Sequence, residues 1–412
     1  MFCAIIFALA FVFVSCAGQK ASTTEALQEG KDCMSMEGAE PGYTEYKNYI
    51  KAVNNFSFGL YKELLKNAGN NNLFYSPYSI ASALSMTYAG ARGQTEKEME
   101  SVLGFSGQEA THKANALMIQ NLDKISKGPP PCPDCQGHSA TPFALHVSNA
   151  IWSQKDYKFF PSFLDALCNY YSASVGQLDF ASEPEKSRLV INEWVEQNTN
   201  RKIRDLLPPG SIDRMTSLVL TNAVYFNAAW LRPFEKSLTR DAPFFLKDGT
   251  VKNVPMMTAT DHFSYFRGEG FGAVELFYTG AATSMLILVP DLGRFDEFEA
   301  ALDSDKLGQI SKNMYSARIK LGLPLFSFES AFRLADSLAD MGMATAFSDR
   351  ADFSGMDGSK NLYISNVLHK AFVKVDEEGT EAAAATAVLV SRMSIIMEEA
   401  LELVIDRPFL FF

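Results

Sequence analysis

Two runs of this 412-residue chain are apolar on both of their alternating faces: SLVLTNAVYFNAAW (217–230) and TSMLILVPD (283–291). A strand with one face in water alternates apolar and polar residues, so a strand that fails to alternate has to be covered on both sides. The chain therefore needs a sheet held between layers, with helices or a second sheet against each face. It has the material for this. Hydrophobic residues make up 47% of it and include 32 Phe, enough for a large core in one big domain or two ordinary ones.

The remaining segments supply the layers. Ile50, Val53, Phe56, Leu60 and Leu64 recur at helical spacing. Asn72 and Pro77 mark turns, after which Ile80–Ala89 reads as a buried helix of small residues. Gly93 breaks that helix, and Thr95 with Glu98 three residues later forms a capping-box start. Further helices are expected at 111–126, over FFPSFLDALCNYY, over SRLVINEWVEQNTNRKIRDLL up to Pro208, over FDEFEAALDSDKLGQI and over AFRLADSLADMGM. FALHVSNAIWS, ARIKLGLPLFSFES and LYISNVLHKAFVKVDEEG read as strands. No repeat and no second linker interrupts this interleaving, so one large α+β domain is expected.

Charge narrows the function. Charged residues are 21% of the chain and well mixed, with a net charge of −11. This argues against nucleic acid or another polyanion as partner. The start, MFCAIIFALAFVFVSCAGQK, is too short for a comfortable membrane span and reads as an export signal over 1–17, with Ser15 and Ala17 as the small residues before cleavage. FVSCAG also resembles a bacterial lipoprotein processing site with Cys16 as the lipid-bearing residue. The expected location is secreted or extracellular, the alternative a lipid-anchored bacterial envelope protein; membrane contact follows only if Cys16 carries lipid. Residues 18–44 are polar and aperiodic and read as a tether.

Catalytic and metal-binding motifs were sought in turn. No G-x-S-x-G elbow, G-x-G-x-x-G turn, P-loop or H-E-x-x-H occurs, and none of the five histidines sits in a catalytic motif. No catalytic residue, metal or cofactor is assigned. CPDCQGH places Cys132, Cys135 and His138 at the spacing of half a zinc site. Four ligands are normally required, and the proline-rich setting reads as a surface loop with a local disulfide or free thiols. With six cysteines, at least one of them in the leader, no dense disulfide framework is expected. Cys168, on an apolar helix face, reads as core.

One segment remains, VDEEGTEAAAATAVLVSRMS (375–394). Its alanines favour helix while Val388 and Val390 favour strand. Here the chain resembles the hinge and reactive-centre loop of the serpins, the serine-protease-inhibitor superfamily. NLFYSPYSIASALSMTYAGARGQTEKEM, LVLTNAVYFNAAWLRPFE, VPMM, AVELFYTGAATSMLILVPD and ADFSGMDGSKNLYISNVLHKAF are similar to other family segments, in family order. Together they cover roughly residues 46–412.

The resemblance implies a serpin domain over 45–412 with three β-sheets, about eight or nine helices and a long exposed loop. It further implies an irreversible suicide-substrate inhibitor. A serine protease attacks the loop and forms an acyl-enzyme, and the cut loop enters the central sheet as a new strand that traps the protease. As a strand, the loop would put Thr380, Ala382, Ala384, Thr386, Val388 and Val390 on one face and Glu381, Ala383, Ala385, Ala387 and Leu389 on the other. The hinge is Glu377, Glu378, Gly379, Thr380, Glu381, Ala382, Ala383, Ala384, Ala385 and Thr386.

Family spacing, counted seventeen residues inclusively from Glu377, puts the reactive bond at Met393–Ser394. This suits a chymotrypsin-, elastase- or subtilisin-like protease. A register one residue shorter exposes Arg392–Met393 to a trypsin-like enzyme. Ser76, Ser79 and Asn192 match polar residues the family uses beneath the sheet where it parts; Trp230 and His369 match those at the top, where the loop first enters. Family members continue past RPFLFF with a further strand, so the domain reads as truncated at its C-terminus. A monomer is expected. The alternatives are a non-inhibitory carrier, chaperone or storage serpin, or an inactive truncated one.

Overall fold

The computed structural model describes residues 43–126, 144–380 and 399–412. The leader with Cys16, the tether, the loop with Cys132, Cys135 and His138, and the segment from Glu381 through Thr386 to Arg392, Met393 and Ser394 lie outside the described residues.

Helices open the chain: α1 Tyr43–Ala68, α2 Pro77–Tyr88, α3 Gly93–Leu103 and α4 Gln108–Ser126. Strand β1 (Ala144–Gln154), helix α5 (Pro161–Tyr171), strand β2 (Val175–Leu178) and helix α6 (Pro184–Asn198) lead into β3 (Leu218–Ala229). A meander follows: β4 Arg240–Phe245, β5 Val251–Gly268, β6 Phe271–Phe277 and β7 Ser284–Pro290. After α7 (Phe295–Ala300) and α8 (Ser304–Lys312) come β8 (Tyr315–Pro324), β9 (Phe326–Arg333), β10 (Ile364–Val375) and the two-residue β11 (Gly379–Thr380). Beyond the undescribed segment lie β12 (Leu401–Val404) and β13 (Leu410–Phe411).

The α+β class is as expected. Among the described residues the strands form two sheets where three were implied. One has six strands in the order β2-β1-β3-β11-β10-β9, and the other has seven, β12-β8-β5-β6-β7-β13, with β4 added on β5. The reason is the 18-residue β5, which pairs β4 over Val251–Met256, β8 over Met256–Tyr265 and β6 over Ser264–Gly268, joining what shorter strands would leave as separate sheets.

Both apolar runs are strands, β3 and β7. The even-numbered residues Leu218, Leu220, Val224 and Ala228 of β3 face the main core, where every residue of α2 is buried. The odd-numbered Val219 and Ala223 face a second cluster under α6, with Trp152, Phe180, Ile191, Val195 and Leu207. β3 is therefore covered on both faces, as its lack of alternation required.

Three local expectations are corrected. Thr95 and Glu98 form no capping box: α3 begins at Gly93, Glu98 accepts from the amide and hydroxyl of Thr345 (2.9 and 2.7 Å), and Thr95 Oγ1 accepts from the Asp352 amide at 2.9 Å. Long-range partners outcompeted the local ones. α6 ends at Asn198, well short of Pro208, because Asn200 and Arg201 turn to positive φ and send Ile203, Leu206 and Leu207 down onto the sheet. Cys168 is disulfide-bonded and is not merely core packing.

Candidate functional site

β3 and β10 run parallel and pair directly from Leu218–Ile364 to Tyr225–Phe372, leaving a seam down the middle of the six-stranded sheet. Beyond Phe372 the two strands part, and β11 lies between them. Gly379 and Thr380 pair antiparallel with Ala229 and Ala228 on one side, and Thr380 with Val375 on the other.

The turn into β11 is built on Asp376. Its carboxylate accepts from the amides of Glu378 (3.0 Å) and Gly379 (3.3 Å), an Asx turn that reverses the chain. Gly379 is required by close approach, since a Cβ there would lie 2.1 Å from the carbonyl oxygen of Ala228. Trp230 holds the turn from beneath: its indole N–H donates to the Asp376 carbonyl and its amide to the Glu378 carbonyl, both at 2.9 Å. Glu377 accepts from the Thr239 hydroxyl at 2.7 Å, and Glu378 pairs with Lys236 at 2.5 Å, which raises the lysine pKa. Tyr278 stacks on Trp230 with centroids 4.7 Å apart. Its hydroxyl lies 2.8 Å from that of Thr380, which is only 1% exposed. Burial pushes the Tyr278 pKa up, so it stays protonated and able to donate.

A second polar site lies about 20 Å down the seam, six residues at about 3.3 Å each. His369 is fully buried. Its Nε2 accepts the Ser76 amide at 3.1 Å and its Nδ1 is bonded to Asn222 Oδ1 across the seam. The Ser79 hydroxyl reaches the same Asn222 oxygen at 2.8 Å, and the Asn222 amide nitrogen donates to Asn149. Because Nε2 accepts an N–H, the ring carries its proton on Nδ1. Burial depresses the His369 pKa to about 3, which keeps the ring neutral.

The predicted site residues divide accordingly. Trp230 is at the head of the seam with Glu377, Glu378, Gly379 and Thr380. Ser76 and Ser79 lie together beneath it, with Ser76 as N-cap of α2. His369 belongs with this second group and not with Trp230, because the register places it opposite Asn222. Asn192 joins neither. From α6, on the other face of the sheet, it accepts from the Leu207 amide (2.8 Å) and donates to the Leu207 carbonyl (2.9 Å). Asn222 was missed; its signal is that it is the one polar residue among the even-numbered, core-facing positions of β3.

The outer face of the seam is strapped. Lys370 on β10 donates to the Arg204 carbonyl at 2.9 Å and pairs with Glu329 at 3.1 Å, while Asn366 donates to the Ser211 carbonyl at 3.1 Å. The α6–β3 connection thus crosses to β10 over the outer face of the β3–β10 seam.

Residues 51–412 match the family described as Serpin (serine protease inhibitor). The chain is 40% identical over 367 residues to an uncharacterized serpin-like protein of Thermococcus kodakarensis, covering 89% of this chain and 82% of that one. It is 36% identical to the leukocyte elastase inhibitor of Xenopus laevis over 89% and 95% of the two chains. Among solved structures it is similar to human thyroxine-binding globulin complexed with thyroxine, with a TM-score of 0.75 and 28% identity over 89% and 94% of the chains. With a short strand wedged at the head of a parallel seam and a match over nearly all of the described residues, the chain belongs to the serpin family.

Proposed function

We propose that this serpin is an irreversible suicide-substrate inhibitor of serine endopeptidases. The observation that carries this reading is β11: Gly379 and Thr380 are already hydrogen-bonded between β3 and β10, in the antiparallel sense a new strand requires. The protease serine attacks the Met393 carbonyl, the bond to Ser394 breaks and its amine leaves with a proton. An ester then joins Met393 to the enzyme. The cut segment continues the β11 ladder downward.

The available length supports this. β3 and β10 begin at Leu218 and Ile364, so each ladder, read down from Thr380, holds 11 or 12 loop residues before its strand ends. At about 1 kcal/mol net per hydrogen bond, such a strand contributes on the order of 10 kcal/mol, comparable with the stability of a whole domain. Inserted as a strand, the segment would turn Ala383, Ala385 and Ala387 outward, and these are small enough to pass beneath the strap of the α6–β3 connection.

The likeness to an elastase inhibitor supports a protease partner, and Met393 favours a chymotrypsin-, elastase- or subtilisin-like enzyme over a trypsin-like one cutting at Arg392. The likeness to thyroxine-binding globulin is the support for a carrier reading.

The test is to mix the protein with proteases of all four types and look for an SDS-resistant complex, then sequence the released C-terminal peptide. Cleavage of the loop by every protease without loss of protease activity would overturn the proposal.

A further inference from the structure

We infer that Asn55, in the middle of α1, is the acceptor for an N-linked oligosaccharide, and that it takes this group while the chain is being exported, before α1 folds. Asn55-Phe56-Ser57 is the one Asn-x-Ser/Thr sequence in the chain, and that sequence is what a membrane-bound oligosaccharide transferase reads. The apolar start of the chain reads as an export signal, and export is the step that brings a chain to such an enzyme.

The folded helix separates the two residues that the enzyme needs together. Successive residues of an α-helix are rotated by about 100°, so residues two apart point about 200° from one another, to nearly opposite faces. Asn55 is exposed, whereas Phe56 and Ser57 are each 3% exposed. Ser57 is held there from two sides. Its hydroxyl donates to the Asn54 carbonyl at 2.8 Å, and its carbonyl accepts the Tyr75 hydroxyl at 2.9 Å.

An extended chain instead puts residues i and i+2 on one face. Asn55 and the Ser57 hydroxyl therefore face the same way only while α1 is unfolded. Phe56 belongs to the main core, so once α1 has docked, its burial and the Tyr75 bond keep this stretch from being drawn out again. The acceptor exists before folding and is hidden by it.

The fold accepts the product. Asn55 Oδ1 accepts from the Ser304 hydroxyl of α8 at 2.6 Å, and Nδ2 has no hydrogen-bond partner among the described residues. In the transfer, Nδ2 forms a bond to C1 of the sugar and loses one proton. The bond from C1 to the oxygen of a lipid-linked pyrophosphate breaks, and the lipid pyrophosphate leaves. The amide oxygen is untouched, so the tie to Ser304 survives. A glycan is bulky and polar, and on the exposed Asn55 it stands in solvent beside the α1–α8 contact.

The experiment translates the full-length chain in the presence of endoplasmic-reticulum microsomes, which carry the transferase and its lipid-linked oligosaccharide. One more slowly migrating species is expected, lost on treatment with peptide N-glycosidase. Asn55→Gln and Ser57→Ala should each abolish it, whereas Ser57→Thr, which keeps the hydroxyl, should retain it. A role for Asn55 in the Ser304 contact alone predicts no glycosidase-sensitive species in any of these chains. Folded protein made without membranes and then added to opened microsomes should stay unmodified, while a peptide spanning residues 50–60 is modified there. A chain that enters the microsomes, shown by protection from added protease, and gains no such species would overturn the inference. So would a species that persists in Asn55→Gln, and modification of the folded protein would overturn the timing. If the chain does not enter at all, export fails and the inference falls with it, leaving the inhibitor reading standing.

Discussion

The hydroxyls of Thr380 and Tyr278 meet at 2.8 Å at the head of the β3–β10 seam, and the threonine is 1% exposed. Thr380 is therefore seated between β3 and β10 on a tyrosine that is itself stacked against Trp230. A charged side chain at this position would have to displace the Tyr278 hydroxyl from a site that is 1% exposed. Thr380→Arg should fold, because the native hinge can withdraw to solvent, but it should be cleaved as a substrate. We expect the yield of SDS-resistant complex to fall at least tenfold, measured by titrating a fixed amount of protease. Tyr278→Phe leaves the Thr380 hydroxyl without this partner, a loss of about 1 kcal/mol. The Thr380 amide should then exchange about fivefold faster.

Gly379 tests the same junction through the backbone. A Cβ at this position would sit 2.1 Å from Ala228 O and 2.7 Å from Ala229 Cα, and backbone atoms cannot move aside as a flexible side chain does. Gly379→Ala should break the pairing of Gly379 with Ala229 in the uncleaved protein. Loss of amide protection at Gly379 and Thr380, with the rest of β3 unchanged, is the expected readout.

Asn192 is expected to act on stability and not on the seam. It makes two buried hydrogen bonds to Leu207, and Asn192→Ala deletes both and leaves the Leu207 amide and carbonyl without that partner. The loss should be about 2 kcal/mol, read from urea unfolding, with faster exchange over residues 199–207. Complex formation per folded molecule should be unchanged. A large fall in complex yield at normal stability would return Asn192 to the opening machinery.

Two buried histidines set the response to acid. His369 and His112 have folded pKa values of about 3 and about 4, both depressed by burial from 6.5. The unfolded chain takes up these protons as pH falls through 6.5, whereas the folded protein takes them up only near 4 and 3. Their contribution to stability is therefore complete above about pH 6.5 and is lost as pH falls from there to about 3. Each histidine adds a slope of up to about 1.4 kcal/mol per pH unit within its window. The unfolding midpoint should drop progressively between pH 6.5 and 4, and His112→Gln should remove one proton from that slope. A flat profile over this range would show that both rings titrate normally.

Much of this was legible in the chain. The lack of alternation in residues 217–230 called for a strand covered on both faces, and β3 has the main core on one side and α6 on the other. Gly379 was read as the bend at the hinge and Trp230 as a residue at its entry. The turn from Asp376 to Gly379 is local to four residues, whereas Trp230 reaches it from 146 residues away. The errors are of another kind. Glu98 and Thr95 had a plausible capping partner three residues away and bonded instead to Thr345 and Asp352, about 250 residues on. Asn192 was assigned to the cluster that Asn222 occupies, and His369 to the wrong end of the seam.

The sequence by itself determined which residues alternate and which carry a polar group on an apolar face. Periodicity is a property of one strand and can be read from it alone. Only the tertiary structure decided which polar groups meet, since that depends on the register between strands far apart in the chain. Asn222, His369 and Ser76 come together because β3, β10 and α2 settle at one alignment. A slip of one residue would turn each side chain to the other face.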